Sequence, residues 1–149
     1  MTKQAGVIDP GAGERIELGP AVITIKVPSE QTGGVLAVVE YDVPAGFSGP
    51  PPHIHPSFDE VFQVLDGELH FRLGEEVIRG VPGTVVYVPG DQPHTFSNPS
   101  DRPATMVFTL SPGGFEGFFR EMAAVAGGAM PAPEVAAQLG EKYGAKPVG

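Results

Sequence analysis

Residues 50–67 read PPPHIHPSFDEVFQVLDG, and the placing of their histidines raises the question on which the fold turns. Two of the chain's four histidines fall within three positions, directly behind a triple proline. In an extended chain successive side chains alternate faces, so His53 and His55 share a face, and prolines at 50–52 favour an extended backbone. Two imidazoles on one face form a chelating pair. Glu60 opens the following hydrophobic run, where a short turn through Pro56 and Ser57 could return its carboxylate to the same space. Taken alone, the stretch fits both a polar loop with chance histidines and one half of a metal site.

Outward from this stretch, residues 15–110 repeat one pattern. Four to eight residues rich in Val, Ile, Phe, Tyr or Thr are followed by Gly, Pro, Asp, Ser or Asn. The runs at 21–27, 35–43, 60–65, 68–73, 75–80, 84–89, 94–98 and 104–110 are too short for typical helices and rich in β-branched and aromatic residues, so they are expected to be strands. Many short strands at such spacing predict an all-β sandwich or barrel. Asp66-Gly67 marks a hairpin turn. After Pro112 the period changes: Phe115, Phe118, Phe119 and Met122 fall at i, i+3, i+4 and i+7, which predicts a helix over about 114–126 whose stripe packs against the barrel. Gly127-Gly128 ends it, and PEVAAQLGEKYG from Pro133 reads as a second short helix.

The bulk properties narrow the function. At 149 residues the chain is expected to form one domain. Glycine (21) and proline (17) are abundant, but 41% hydrophobic and only 18% charged residues favour a real core, with the glycines and prolines marking turns. A net charge of −9, with lysines and arginines scattered, argues against a nucleic-acid partner. No run reaches the roughly 18 apolar residues of a membrane span, and no signal-peptide stretch is visible, so a cytoplasmic location without membrane contact is expected. There are no cysteines. Any bound metal must therefore use nitrogen and oxygen donors.

A second stretch that bears on the site lies at residues 83–98, GTVVYVPGDQPHTFSN. Gly83 starts a strand, Pro89 ends it, and a tight turn through Gly90, Asp91, Gln92 and Pro93 delivers His94 onto the next. Together the two stretches resemble the paired motifs of the cupin superfamily. The first motif corresponds to Gly46, His53, His55, Glu60 and Gly67, and the second to Gly83, Pro89, His94 and Asn98. Two departures are present: the spacer from Gly46 to His53 is one residue longer than usual, and the glycine expected two after the proline stands one early, at Gly90. Both fall in turns, and all four ligand positions hold coordinating residues.

The resemblance implies a small jelly-roll β-barrel over about 15–111 with a short C-terminal helical segment at about 114–143. It also implies one divalent metal ion per chain on His53, His55, Glu60 and His94, with open positions for water, substrate or dioxygen. Fe, Mn, Ni, Cu, Co and Zn all suit such donors. Glu60 is the expected catalytic residue, either staying a ligand or swinging off to accept a proton. Phe62, Val64 and Phe96 share alternation phase with Glu60 or His94 and are expected to line the pocket. Tyr87 is expected to be either a pocket hydroxyl or a dimer contact. His70 is read as a surface or packed strand histidine, Asp59 as a solvated charge, and Asn98 as the residue that fixes the turn after His94.

The segment SPGGFEGFFREM from Ser111 also resembles the stretch that follows the barrel in quercetinase-like cupins. That favours a metal-dependent dioxygenase acting on an aromatic or enol-containing small molecule. Two readings stand beside it: a non-oxidative isomerase, cyclase or decarboxylase, and a non-catalytic small-molecule or metal-binding protein. The resemblance further implies a homodimer.

Overall fold

Alternating burial along the hydrophobic runs is what assembles the fold. The structure, a computed structural model, describes residues 3–148. In chain order its elements are β1 (Glu14–Leu18), β2 (Ala21–Val27), α1 (Ser29–Thr32), β3 (Ala37–Val43), β4 (His53–Ile54), β5 (Asp59–Asp66), β6 (Leu69–Leu73), β7 (Glu76–Gly80), β8 (Val85–Val88), β9 (His94–Ser97), β10 (Ala104–Ser111), α2 (Glu116–Ala126), α3 (Pro133–Tyr143) and β11 (Lys146–Pro147). In β5, Glu60, Phe62 and Val64 are buried while Asp59, Val61, Gln63 and Leu65 are exposed, the period of two expected of a strand with one wet face.

The strands form two antiparallel sheets, one of six strands in the order β1-β2-β3-β10-β5-β8 and one of five in the order β11-β4-β9-β6-β7. From β3 to β6 the chain changes sheet at each step. Because β4 and β9 lie in one sheet and β5 in the other, residues from all three can meet between the layers. The inward faces make a single apolar core containing Ile23, Ile25, Val39, Val43, Val64, Met106 and Leu110, with a cluster of rings from Tyr41, Phe62, Phe71, Phe96 and Phe108. Edge-on contacts such as Tyr41 to Phe96, with ring centroids 5.5 Å apart, suit the quadrupoles of the rings.

The two expected helices are present. In α2, Phe119 and Met122 are buried, and Phe119 meets Tyr41 edge-on at 6.2 Å, so the stripe does pack on the barrel. Glu116 anchors its start: this buried carboxylate accepts hydrogen bonds from the Gly114 N–H, the Ser29 N–H and the Ser29 hydroxyl, tying α2 to α1. Sequence periodicity did not reveal β1, α1 or β11. The first has only two buried residues, and the other two are four and two residues long, too short to carry a period. Among the described residues no helix is long and apolar enough to cross a membrane.

Candidate metal centre

His53, His55 and His94 converge from two adjoining strands of the five-stranded sheet. His53 and His94 are direct cross-strand partners in β4 and β9, which brings their rings to a centroid distance of 4.5 Å. His55 follows two residues after His53, its ring on the same side and 4.7 Å from that of His53. One ligand nitrogen from each of the three lies within 4.8 Å of the others, close enough to share one ion.

Each ring is locked by its outer nitrogen. Nδ1 of His53 donates to the Pro51 carbonyl (2.9 Å), Nδ1 of His94 to the Gln92 carbonyl (2.9 Å) and Nδ1 of His55 to the Gly144 carbonyl (3.3 Å). A carbonyl oxygen can only accept, so Nδ1 carries the proton in all three, and Nε2 is left as the inward-facing atom. This is the arrangement by which proteins orient metal-binding imidazoles.

Glu60 enters from the opposite sheet on β5. Its Oε1 lies 2.8 Å from Nε2 of His55 and 3.3 Å from Nε2 of His94, with all three side chains almost wholly buried. Burial alone would raise the pKa of this carboxyl, but hydrogen bonds from His55 and His94, which in the absence of an ion require a second proton on each facing Nε2, bring it down to about 2. Burial, aided by the neighbouring His94, lowers the pKa of His53 to about 4 despite the opposing hydrogen bond to Pro51. A carboxylate facing imidazole nitrogens whose other nitrogens are already protonated needs a positive charge between them, either protons or a cation. That donor set fits a divalent ion.

The turn from β4 to β5 is held by the second motif. The His55 N–H donates to the Gly90 carbonyl (2.7 Å), and the Gly90 N–H donates to Oδ1 of Asp59 (2.9 Å). A Cβ on Gly90 would lie 2.4 Å from the His55 carbonyl oxygen and 2.9 Å from that of Phe58. The glycine that stands one position early in the motif is thus required where it is, because backbone passes against backbone there. Asp59 is exposed, as expected, yet it is more than a solvated charge, since its Oδ2 also accepts from the Tyr87 hydroxyl (3.1 Å).

The other expected residues divide. Phe62 is buried with its ring 6.3 Å from that of His94. Phe96 and Val64 point inward but lie further along their strands, Phe96 packing on Tyr41 and Phe47. Tyr87 does not line the barrel. It pairs with Val61 on the outer face of the six-stranded sheet, is 59% exposed, and lines an outer cleft with Pro56, Asp59 and Asp91. The cause is its phase: in β8 Val86 and Val88 face inward, so Tyr87 must face out. His70 is half-buried and contacts Glu68 at 3.2 Å, outside the site. Asn98 is fully buried; its amide donates to the carbonyls of Val43, Pro44 and Arg102, and its Oδ1 accepts from Ser100, so it does fix the turn.

Two residues at the site were not anticipated. Phe58 stacks on His55 with centroids 4.4 Å apart and planes at 25°, and Phe115 meets the same ring at 4.9 Å and 65°. Phe58 lies in the turn between His55 and Glu60, where an aromatic residue was the available signal. Phe115 was read only as part of a packing stripe.

The fold has counterparts in known proteins. Residues 39–110 match Cupin_2, the cupin domain, so this part of the chain is a cupin domain, and the two-sheet fold around it is cupin-like. Over 116 residues the chain is 30% identical to quercetin 2,3-dioxygenase of Bacillus subtilis (strain 168), an alignment covering 78% of this chain and 34% of that protein. The chain thus spans about a third of the length of that relative. Among solved structures it resembles KdgF from Halomonas sp. (TM-score 0.65, 18% identity, 74% of this chain and 96% of the other). It also resembles the polyketide cyclase RemF from Streptomyces resistomycificus (TM-score 0.56, 18% identity, 74% and 80%). At these identities the structural likeness speaks to the fold.

Proposed function

We propose that the chain is a divalent-metal-dependent dioxygenase acting on an aromatic or enol-containing small molecule, with His53, His55, His94 and Glu60 as the metal ligands. The observation that carries the reading is the locking of all three Nδ1 atoms onto backbone carbonyls, which leaves three inward Nε2 atoms beside one carboxylate. Kinship to the B. subtilis quercetin 2,3-dioxygenase supports the oxygenase chemistry.

When bound, a divalent ion supplies Lewis acidity towards an enolate or phenolate oxygen and, if redox-active, electron transfer with dioxygen. The chain's own residues provide the rest. The carbonyls of Pro51, Gln92 and Gly144 hold the imidazoles in place, and Phe58, Phe62 and Phe115 wall the site with apolar surface that excludes water. Glu60 acts as a ligand and charge-balancing group. Held at about 2 by two imidazoles, it accepts a proton poorly for as long as it keeps those contacts.

The test begins with metal analysis of untagged protein, for which about one ion per chain is expected, lost in Glu60→Ala and His55→Ala. Equal metal content in all three would refute the ligand assignment. An oxygen-uptake panel over flavonols, catechols, β-diketones and polyketide-like phenols follows. Turnover of a panel substrate by the zinc form without oxygen uptake would overturn the oxygenase reading in favour of isomerase, cyclase or decarboxylase chemistry.

A further inference from the structure

His55 differs from the other two histidines in where its orienting carbonyl comes from. His53 and His94 are each held by the carbonyl two residues before them, so their orientation is local to the barrel motifs. The partner of His55 is Gly144, 89 residues away and beyond both C-terminal helices. The same segment touches the site again: β11 pairs with β4, placing Pro147 opposite His53 and Lys146 opposite Ile54, and the Val148 N–H donates to the Pro52 carbonyl (3.1 Å). Strand β4 is two residues long and has a single registered pair with β9. Its other edge is covered by β11.

We infer that the C-terminal segment Tyr143–Val148 is a positioning element of the metal centre, orienting His55 through the Gly144 carbonyl and bracing the strand that carries His53. The inference rests on the reading of these histidines as metal ligands. Its geometry is set by α2 and α3. Gly144 caps α3 with a left-handed backbone (φ 106°), and its N–H bonds to the Glu141 carbonyl. A Cβ there would sit 3.3 Å from Oγ of Ser57 and 3.4 Å from the Phe58 ring, so the segment lies close against the turn behind His55. On α2, Gly117 faces the Tyr143 ring, and a Cβ would come within 2.6 Å of it. Outside, Lys142 reaches Glu121 at 2.6 Å, linking the two helices. Docking of the helices therefore delivers the carbonyl, and metal affinity is coupled to that docking.

Two full-chain variants test this by separate routes. Gly144→Val puts a β-branched residue into a left-handed conformation, and Gly117→Ala pushes the Tyr143 ring away. With Co(II) alone as probe, affinity measured against a competing chelator is expected to fall about 10–100-fold in both, the usual cost of losing an orienting partner of a metal-bound histidine. In the metal-free chain, imidazole NMR should show a His55 Nδ1 proton protected from solvent exchange, which disappears in both variants while the Nδ1 protons of His53 and His94 persist. A merely structural role would move all three signals together. Unchanged Co(II) affinity in both variants, or an unchanged His55 signal, overturns the inference. Failure of the wild-type chain to bind Co(II) would refute the metal reading, while the NMR comparison still decides whether the segment orients His55.

Discussion

Glu60 is the point at which the electrostatics of the site can be measured without any metal. A carboxyl group with an unfolded value of 4.5 that is held at about 2 in the fold favours its ionised form by about 3 kcal/mol, at about 1.4 kcal/mol for each tenfold change. Since the folded value is the lower one, the contribution is fully present above pH 4.5 and is lost as pH falls from there towards 2. Glu60→Gln keeps the shape and removes the charge, mimicking the protonated acid. In chelator-treated protein the variant should be less stable than the wild type by up to about 3 kcal/mol at pH 7. The difference should stay constant down to about pH 4.5 and narrow below it. Urea unfolding of both proteins at a series of pH values from 7 to 3 measures it. A stability difference that is absent at pH 7, or that does not narrow on acidification, would refute the claim that two imidazoles stabilise this buried carboxylate.

Three further outcomes are expected. His53 has a folded pKa near 4 against 6.5 for an ordinary histidine, so the metal-free protein should lose stability as pH falls from 6.5 towards 4, and His53→Gln should flatten that part of the profile in thermal melts. Phe58→Ala removes the ring stacked on His55 in a buried position and should cost about 3–5 kcal/mol in urea unfolding; a cost below 1 kcal/mol would show that the ring is not part of a packed wall. Tyr87→Phe deletes only an exposed hydroxyl that contacts Asp59, so metal content and any turnover should match the wild type, with a stability change within about 1 kcal/mol. A loss of metal in this variant would mean that Tyr87 reaches the site after all.

The alternation of apolar residues and the turn signals were enough to read β2, β3, the strands from β5 to β10 and both long helices, because each buried face repeats at the period of its own element. That His53, His55, Glu60 and His94 come together was legible for a related reason. The alternate placing of His53 and His55, the phase of Glu60, and the turn that presents His94 are local consequences of backbone geometry, and their spacings resemble cupin motifs. What lay beyond reach were contacts set by chain segments far apart in sequence. Tyr87 had an ambiguous role until the pairing of β5 with β8 fixed its phase outward. Gly90 looked like a departure from the motif until the passage of backbone against the His55–Phe58 turn showed why no Cβ fits there.

The sequence by itself thus determined which residues carry donor atoms and which strands present them, since both follow from periodicity within short stretches. Only the tertiary structure decided how those donors are held: Glu60 reaches His55 and His94 because β5 faces β4 and β9 from the opposite sheet, and the orienting carbonyl of His55 arrives from Gly144. No local pattern encodes a hydrogen bond across 89 residues. It exists because two helices pack on the barrel and end with the Gly144 carbonyl beside the His55 ring.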